Sequence, residues 1–294
     1  MKFSAWLNAA SPWDEMLALA RHVEASGWDG VWVADHFMPN GESTTGPTAE
    51  AWTTVSALAA SVPRLRIGTL VTGNTYRHPA VLAKMAAQVD IVCGGRLTLG
   101  LGAGWQQNEH DAYGIEFSTV SGRLDRLEEA SAVVTSLFAN EHTTFEGTHY
   151  QLRDAPLSPK PVQRPLPLLI GGGGERRTLR VAARYANAWN VWGSPATLAR
   201  KGAVLERHCA DIGRDPAEIE RSANALLHFD EEEASPADRR PRLAGPVDAI
   251  REQVGRYRDA GVNEIIIPDS GMGSLEGRKQ TYDRFIEEVA PGFR

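Results

Sequence analysis

Of the 294 residues only two are cysteines, Cys93 and Cys209, and they are too far apart for a metal-type or redox CxxC spacing. That leaves no basis for a disulfide framework, and both thiols are expected to be reduced and buried. No apolar run approaches the ~18 residues needed to span a bilayer. The opening MKFSAWLNAASP has a single lysine and an apolar stretch broken at Asn8, too short for a secretory signal. Positive charge is scarce as well, with 31 Lys and Arg against 37 Asp and Glu and a net charge of −6. A nucleic-acid partner, which needs a basic face, is not expected. These shortages point to a cytoplasmic protein acting on a small molecule, with no membrane partner.

What is present is a regular alternation. Apolar, β-branched runs predict strands over 3–7, 30–34, 66–71, 97–101, 168–170, 188–191, 223–228 and 264–268. Helical spacing follows each, at about 12–26, 48–61, 79–92, 121–138, 175–185, 195–212, 246–260 and 275–289. Pro12, Pro79, Pro195 and Pro246 sit at helix starts, and Gly27, Gly213 and Gly261 just past helix ends. Alternation of this kind implies parallel strands with right-handed crossovers. Eight units without a boundary favour an α/β fold, a single closed (β/α)8 TIM barrel over 1–294, above an open doubly wound sheet. Two segments break the rhythm. Residues 139–167, with five prolines from Pro156 onward, read as an insertion before strand five that caps the C-terminal mouth of the strands. Residues 230–245, DEEEASPADRRPRLAG, read as a charged loop after strand seven.

The stretch 64–114 carries the densest signal. Its two strands end in Thr72-Gly73-Asn74 and in Gly100, Gly102 and Gly104, small residues that would let a flat ligand approach the backbone. Gly171, Gly172, Gly173 and Gly174 lie between a strand and a helix, where free N–H groups suit a phosphate, although a tight connection would use the same residues. Arg176, Arg177 and Arg180 add charge on the following helix. Asp35-His36 closes the second strand. An imidazole there points into a barrel mouth, and its ordinary pKa near ~6.5 suits proton transfer, unless it is a structural rim residue. Trp6, Trp105, Trp189 and Trp192 could wall a pocket or fill the core. Glu109 reads better as a helix N-terminal carboxylate than as an acid catalyst.

The stretch 64–114, with Asp35-His36-Phe37 and Pro39 before it, resembles the luciferase-like monooxygenase superfamily. TFEGTHYQL (144–152), PLSPKPVQRPLPLLIGGGG (156–174) and AGVNEIII (260–267) extend the likeness in order over nearly the whole chain. GWxxNE, TFxGxHY and PKPVQxPxP are most like the branch that uses the deazaflavin coenzyme F420. The resemblance implies hydride transfer between F420 and a small organic substrate, with Asp35 and His36 at the ring and His36 moving the proton. It places a non-proline cis peptide at Leu70–Val71, with Leu70, Val71 and Thr72 behind the ring. Gly104 and Asn108 would then contact the ring, Asn108 at its pyrimidine side. The phosphodiester and oligoglutamate of F420 would suit Gly171–Gly174 with Arg176 and Arg177. Members are commonly homodimers through their second and third helices. Two alternatives stay open: an FMN-dependent monooxygenase of the same superfamily, and a flavin-binding protein without catalysis. Sugar-6-phosphate dehydrogenases of the superfamily carry a catalytic Glu where this chain has Trp105, which sets sugar phosphates apart as substrates. No metal is implied.

Overall fold

The computed structural model describes residues 1–41, 43–229 and 240–294. Its strands run β1 (Lys2–Leu7), β2 (Gly30–Val33), β3 (Arg66–Thr69), β4 (Thr72–Gly73), β5 (Leu97–Gly102), β6 (His142–Glu146) and β7 (Gln151–Pro156). They continue as β8 (Leu168–Gly171), β9 (Ala188–Trp192), β10 (Glu220–Asn224), β11 (Leu226–Phe229), β12 (Arg242–Gly245) and β13 (Glu264–Pro268). The helices are α1 (Trp13–Ala25), α2 (Ala51–Ser61), α3 (Pro79–Val92), α4 (Gln107–Tyr113) and α5 (Val120–Ala139). After them come α6 (Thr178–Tyr185), α7 (Pro195–Ala210), α8 (Val247–Asp259) and α9 (Leu275–Arg284).

Eight of these strands pair in parallel in the order β3, β2, β1, β13, β10, β9, β8, β5, and β3 pairs with β5 to close the ring. The fold is the expected (β/α)8 barrel. Alternation along each strand divides the side chains. Val31 and Val33 of β2 face the helices, while Trp32 between them points inward with Leu169 and Ile266. Gly68 of β3 makes room for that indole, since a Cβ there would lie 2.5 Å from it. At the N-terminal end the filling is polar. Glu264 accepts from Ser4 Oγ at 2.5 Å and pairs with Arg66 at 2.5 Å. Cys93 and Cys209 are buried free thiols.

Several expectations need correction. The run 223–228 spans two strands, because the chain changes partner at Ala225. β10 belongs to the barrel, whereas β11 pairs with β12 outside it. Hydropathy has no marker for a change of partner within one apolar run. The charged loop expected over 230–245 is β12 from Arg242, and 230–239 lie outside the described residues. α6 begins at Thr178 rather than 175, because 175–177 form a turn.

The insertion does not cap the mouth. β6 and β7 form an antiparallel hairpin whose tip is held outside the barrel by Glu129 of α5. That carboxylate accepts the N–H groups of Thr148, His149 and Tyr150 at 2.8, 2.8 and 3.0 Å. The return passes the N-terminal end of β5, where Gln163 Nε2 donates to Leu97 O at 2.8 Å.

Between β3 and β4 the chain leaves the sheet for Leu70 and Val71, joined by a cis peptide. The Val71 side chain rests on two glycines. A Cβ at Gly102 would lie 2.7 Å from Val71 Cγ2, and one at Gly171 2.9 Å from Val71 Cγ1. Gly102→Ala is therefore expected to destabilise the fold by about 1–3 kcal/mol through overpacking. Adding Val71→Ala should recover about half or more of that loss, a coupling expected for side chains in contact. Urea unfolding of both single variants and the double variant checks this, and strictly additive effects would refute the contact.

Candidate active site

The C-terminal ends of the barrel strands enclose a cavity of about 890 Å³, a size typical of small-molecule sites. Leu70 and Val71 form its inner shelf. Trp6, Trp105 and Trp192 wall it, Trp6 and Trp192 packing at 5.9 Å between ring centres. Trp189 is not a wall residue. It is fully buried and donates Nε1 to Gly172 O at 2.8 Å. On β9 and β10, Asn190 and Asn224 exchange amide hydrogen bonds at 3.0 Å and give the apolar cavity a polar side.

Asp35 and His36 follow β2, and the chain turns them apart. Asp35 is buried and receives Arg77 at 2.6 Å, and Arg77 also reaches Glu50, the residue that caps α2. Burial raises the Asp35 carboxyl above the ordinary carboxylate range, against the pull of Arg77. His36 lines the cavity, with the Trp105 ring edge-on at 5.5 Å. Its Nδ1 lies 2.8 Å from Glu109 Oε1. Glu109 Oε2 accepts the Phe37 N–H at 2.9 Å, and the Tyr76 hydroxyl donates to Oε1. Burial works to raise this carboxyl, but hydrogen bonds from His36, Tyr76 and Phe37 hold it below the usual range. Burial and Glu109 together push the Tyr76 phenol well above its ordinary value.

Glu109 does occupy the first turn of its helix, as expected. What sequence reasoning missed is that α4 turns the carboxylate onto His36, 73 residues away in the chain. Tyr76 and Arg77 were missed for the same reason. Asn108 is not brought to the cavity. Its amide donates to Gly41 O at 2.9 Å, because its neighbour Glu109 takes the inward direction on this short helix.

Of the other expected cofactor residues, Gly104, Gly171 and Gly172 line the cavity, while Thr72 is buried behind the shelf, accepting from Trp52 Nε1 at 3.0 Å. Gly173 and Gly174 continue the loop beyond it. Gly172 has φ +118, a conformation that L side chains rarely adopt. Arg177 is turned away, bonded to Asp125 and Ser121 of α5, and Arg180 pairs with Glu128 at 3.1 Å. Arg176 stays exposed. Lys201 of α7, unforeseen, donates to Gly173 O and stiffens the loop. Nothing in the sequence says which face of α7 meets the glycines.

A model of the luciferase-like monooxygenase family matches residues 1–264. The chain belongs to that family. It is 28% identical to an F420-dependent glucose-6-phosphate dehydrogenase of Amycolatopsis mediterranei, covering 95% of this chain and 94% of that one. It is 31% identical to an F420-dependent hydroxymycolic acid dehydrogenase of Mycobacterium tuberculosis, over 90% of this chain and 73% of the relative. Among solved structures, an F420-dependent secondary alcohol dehydrogenase bound to an F420-acetone adduct superposes with a TM-score of 0.85 over all of both chains, at 23% identity. A coenzyme F420 dependent tetrahydromethanopterin reductase from Methanopyrus kandleri gives 0.84 at 18% identity, over 100% of this chain and 99% of that one. At these identities the structural likeness speaks for the barrel alone. Among the described residues, no His, Cys, Asp or Glu cluster suits a metal, and no helix of this family member is long and apolar enough to cross a membrane.

Across the cavity from the shelf, Asp269 follows β13, buried beside Arg278 at 3.3 Å, and its Oδ1 has no hydrogen-bond partner. Burial pushes the carboxyl up to about 6, against the pull of Arg278. The folded chain therefore holds this proton more tightly than the unfolded chain, where the value is about 4. Its contribution to stability is fully present below about pH 4 and is lost as pH rises through about 6. Asp269→Asn is expected to gain on the parent by roughly 2–3 kcal/mol between about pH 4 and 6. Urea unfolding of both proteins across that window measures the difference, and a constant offset would contradict it.

Proposed function

We infer that this family member is an F420-dependent oxidoreductase that moves a hydride between the deazaflavin and a small organic substrate. The observation that carries the reading is His36, held at the cavity wall by a buried carboxylate in the same cleft as the flat shelf of Leu70 and Val71. The F420-dependent names of the two sequence relatives, which span most of this chain, support the cofactor over FMN.

The cavity suits that cofactor. Leu70 and Val71 offer one planar face, and backbone at Gly104, Gly171 and Gly172 leaves room for ring and linker. The loop Gly172–Gly174, with exposed Arg176, suits a phosphate and a polyanionic tail. When bound, the deazaflavin supplies a carbon centre that takes or gives a hydride and cannot form an oxygen adduct. The chain does the rest. It shields the reacting face with Trp6, Trp105 and Trp192, and it exchanges a proton with the substrate at His36.

Among the described residues lining the cavity, Arg240 is the single Lys or Arg. With Trp105 beside His36, this favours an uncharged alcohol or carbonyl compound over a sugar phosphate. From the family likeness we further propose a cytoplasmic homodimer acting on a small molecule.

Titrating the apoprotein with F420 and FMN in parallel tests the cofactor, with F420 expected to bind the more tightly. His36→Ala is expected to lower kcat by roughly 10²–10⁴-fold, the usual worth of general acid–base catalysis, with little change in F420 affinity. Turnover at the parental rate with saturating cofactor would remove His36 from the reaction.

A further inference from the structure

We propose that Glu109 is a positioning residue that locks His36 in one tautomer, with the proton on Nδ1 and Nε2 left as the atom that exchanges a proton with the substrate. The proposal rests on the reading of His36 above but is decided by different measurements.

The argument is a count of donors around one carboxylate. Glu109 is fully buried, so its two oxygens must be satisfied within the protein. Oε2 faces the Phe37 N–H at 2.9 Å, a group that can only donate. Oε1 receives the Tyr76 hydroxyl and faces His36 Nδ1 at 2.8 Å. An ionised carboxylate satisfies all three partners at once, provided that Nδ1 carries a hydrogen. That condition holds for both the neutral ring and the imidazolium. Nδ1 is therefore committed, and no hydrogen bond to Nε2 is recorded among the described residues. Nε2 is then the site open to a ligand, as His36 lines the cavity. The low-lying ionisation of Glu109 agrees with this arrangement.

The chemical consequence is a division of roles. In the oxidising direction a substrate O–H bond breaks and Nε2 gains the proton, while the carbinol carbon becomes a carbonyl as its C–H bond breaks and its hydride, with both electrons, passes to the deazaflavin that the proposed function supplies. Glu109 takes no proton. Its buried charge keeps the ring oriented and stabilises the imidazolium that forms, the role that an aspartate plays toward histidine in hydrolase triads. Asp35, next in sequence to His36, does not share this role: its carboxylate is paired with Arg77, and Nδ1 is bonded to Glu109.

The decisive measurement uses the full-length apoprotein labelled with ¹⁵N at histidine. The His36 resonances are identified by their loss in His36→Ala. The neutral ring is expected to be protonated at Nδ1 and bare at Nε2, and a ring protonated at Nε2 would overturn the proposal. Glu109→Gln adds a second arm. Gln puts an NH2 group in place of one oxygen; with its oxygen held by the Phe37 N–H, the NH2 faces Nδ1, so the tautomer preference should be lost and kcat should fall by about 10²-fold or more. F420 affinity should stay within about threefold, because the carboxylate acts through His36. Tyr76→Phe keeps the carboxylate and should keep the Nδ1–H tautomer, which covers the case in which Glu109→Gln fails to fold. Parental kcat in Glu109→Gln would also overturn the proposal. A correct tautomer combined with unimpaired turnover of His36→Ala would instead refute only the proton role of His36.

Discussion

The cleft depends on one contact, the seat of Val71 on glycines. A (β/α)8 barrel normally fills its interior with side chains up to the rim. Here the upper layer is a piece of backbone, Leu70 and Val71, that has left its strand between β3 and β4. It fits because Gly102 and Gly171, on the two strands next to it, have no side chains to meet Val71. The result is a flat apolar shelf instead of an interdigitated plug, and a cavity opens above it. The glycines at 102 and 171 therefore serve a valine of the same chain. The small residues at these strand ends were expected to admit a ligand directly, whereas what they make room for is that side chain.

Around that shelf, two charged networks begin at adjacent residues and run in opposite directions. Asp35 joins Arg77 and Glu50, tying the end of β2 to the start of α2 and to the loop after β4. His36 joins Glu109 and Tyr76, tying the same turn to α4. The first network sets the Asp35 and Glu50 carboxylates on one guanidinium, with Glu50 also accepting the N–H groups that open α2. The second leaves one nitrogen facing the cavity. Burying carboxylates this close to a binding site is costly unless each is hydrogen-bonded, and Asp35 and Glu109 both are. That satisfaction makes the rim rigid, which a group meant to meet a small substrate requires.

Much of this was legible in the residues. The alternation of apolar runs and amphipathic segments, with Pro and Gly at the helix ends, led to eight parallel strands and a closed ring. Cys93 and Cys209 are the free, buried thiols that were expected. Local order failed where one run served two purposes, as in 223–228, and where a short polar helix, α4, carried no hydrophobic period. The insertion was misplaced because proline content marks a loop but does not say where it docks, which Glu129 decides with three backbone hydrogen bonds.

By itself, the sequence determined the barrel, the family resemblance, and which residue types stand at the strand ends: Asp35-His36, the glycine loop and the tryptophans. It did so because periodicity, punctuation and motif order are properties of neighbours along the chain. Tertiary structure alone decided where the side chains go. It turned Asn108 and Arg177 away, put Trp189 into the core, brought Lys201 to the glycine loop and set Glu109 against His36. Hydrogen bonds between residues 28 to 73 positions apart have no local signature, because they arise only once the closed barrel brings the strand ends around one mouth.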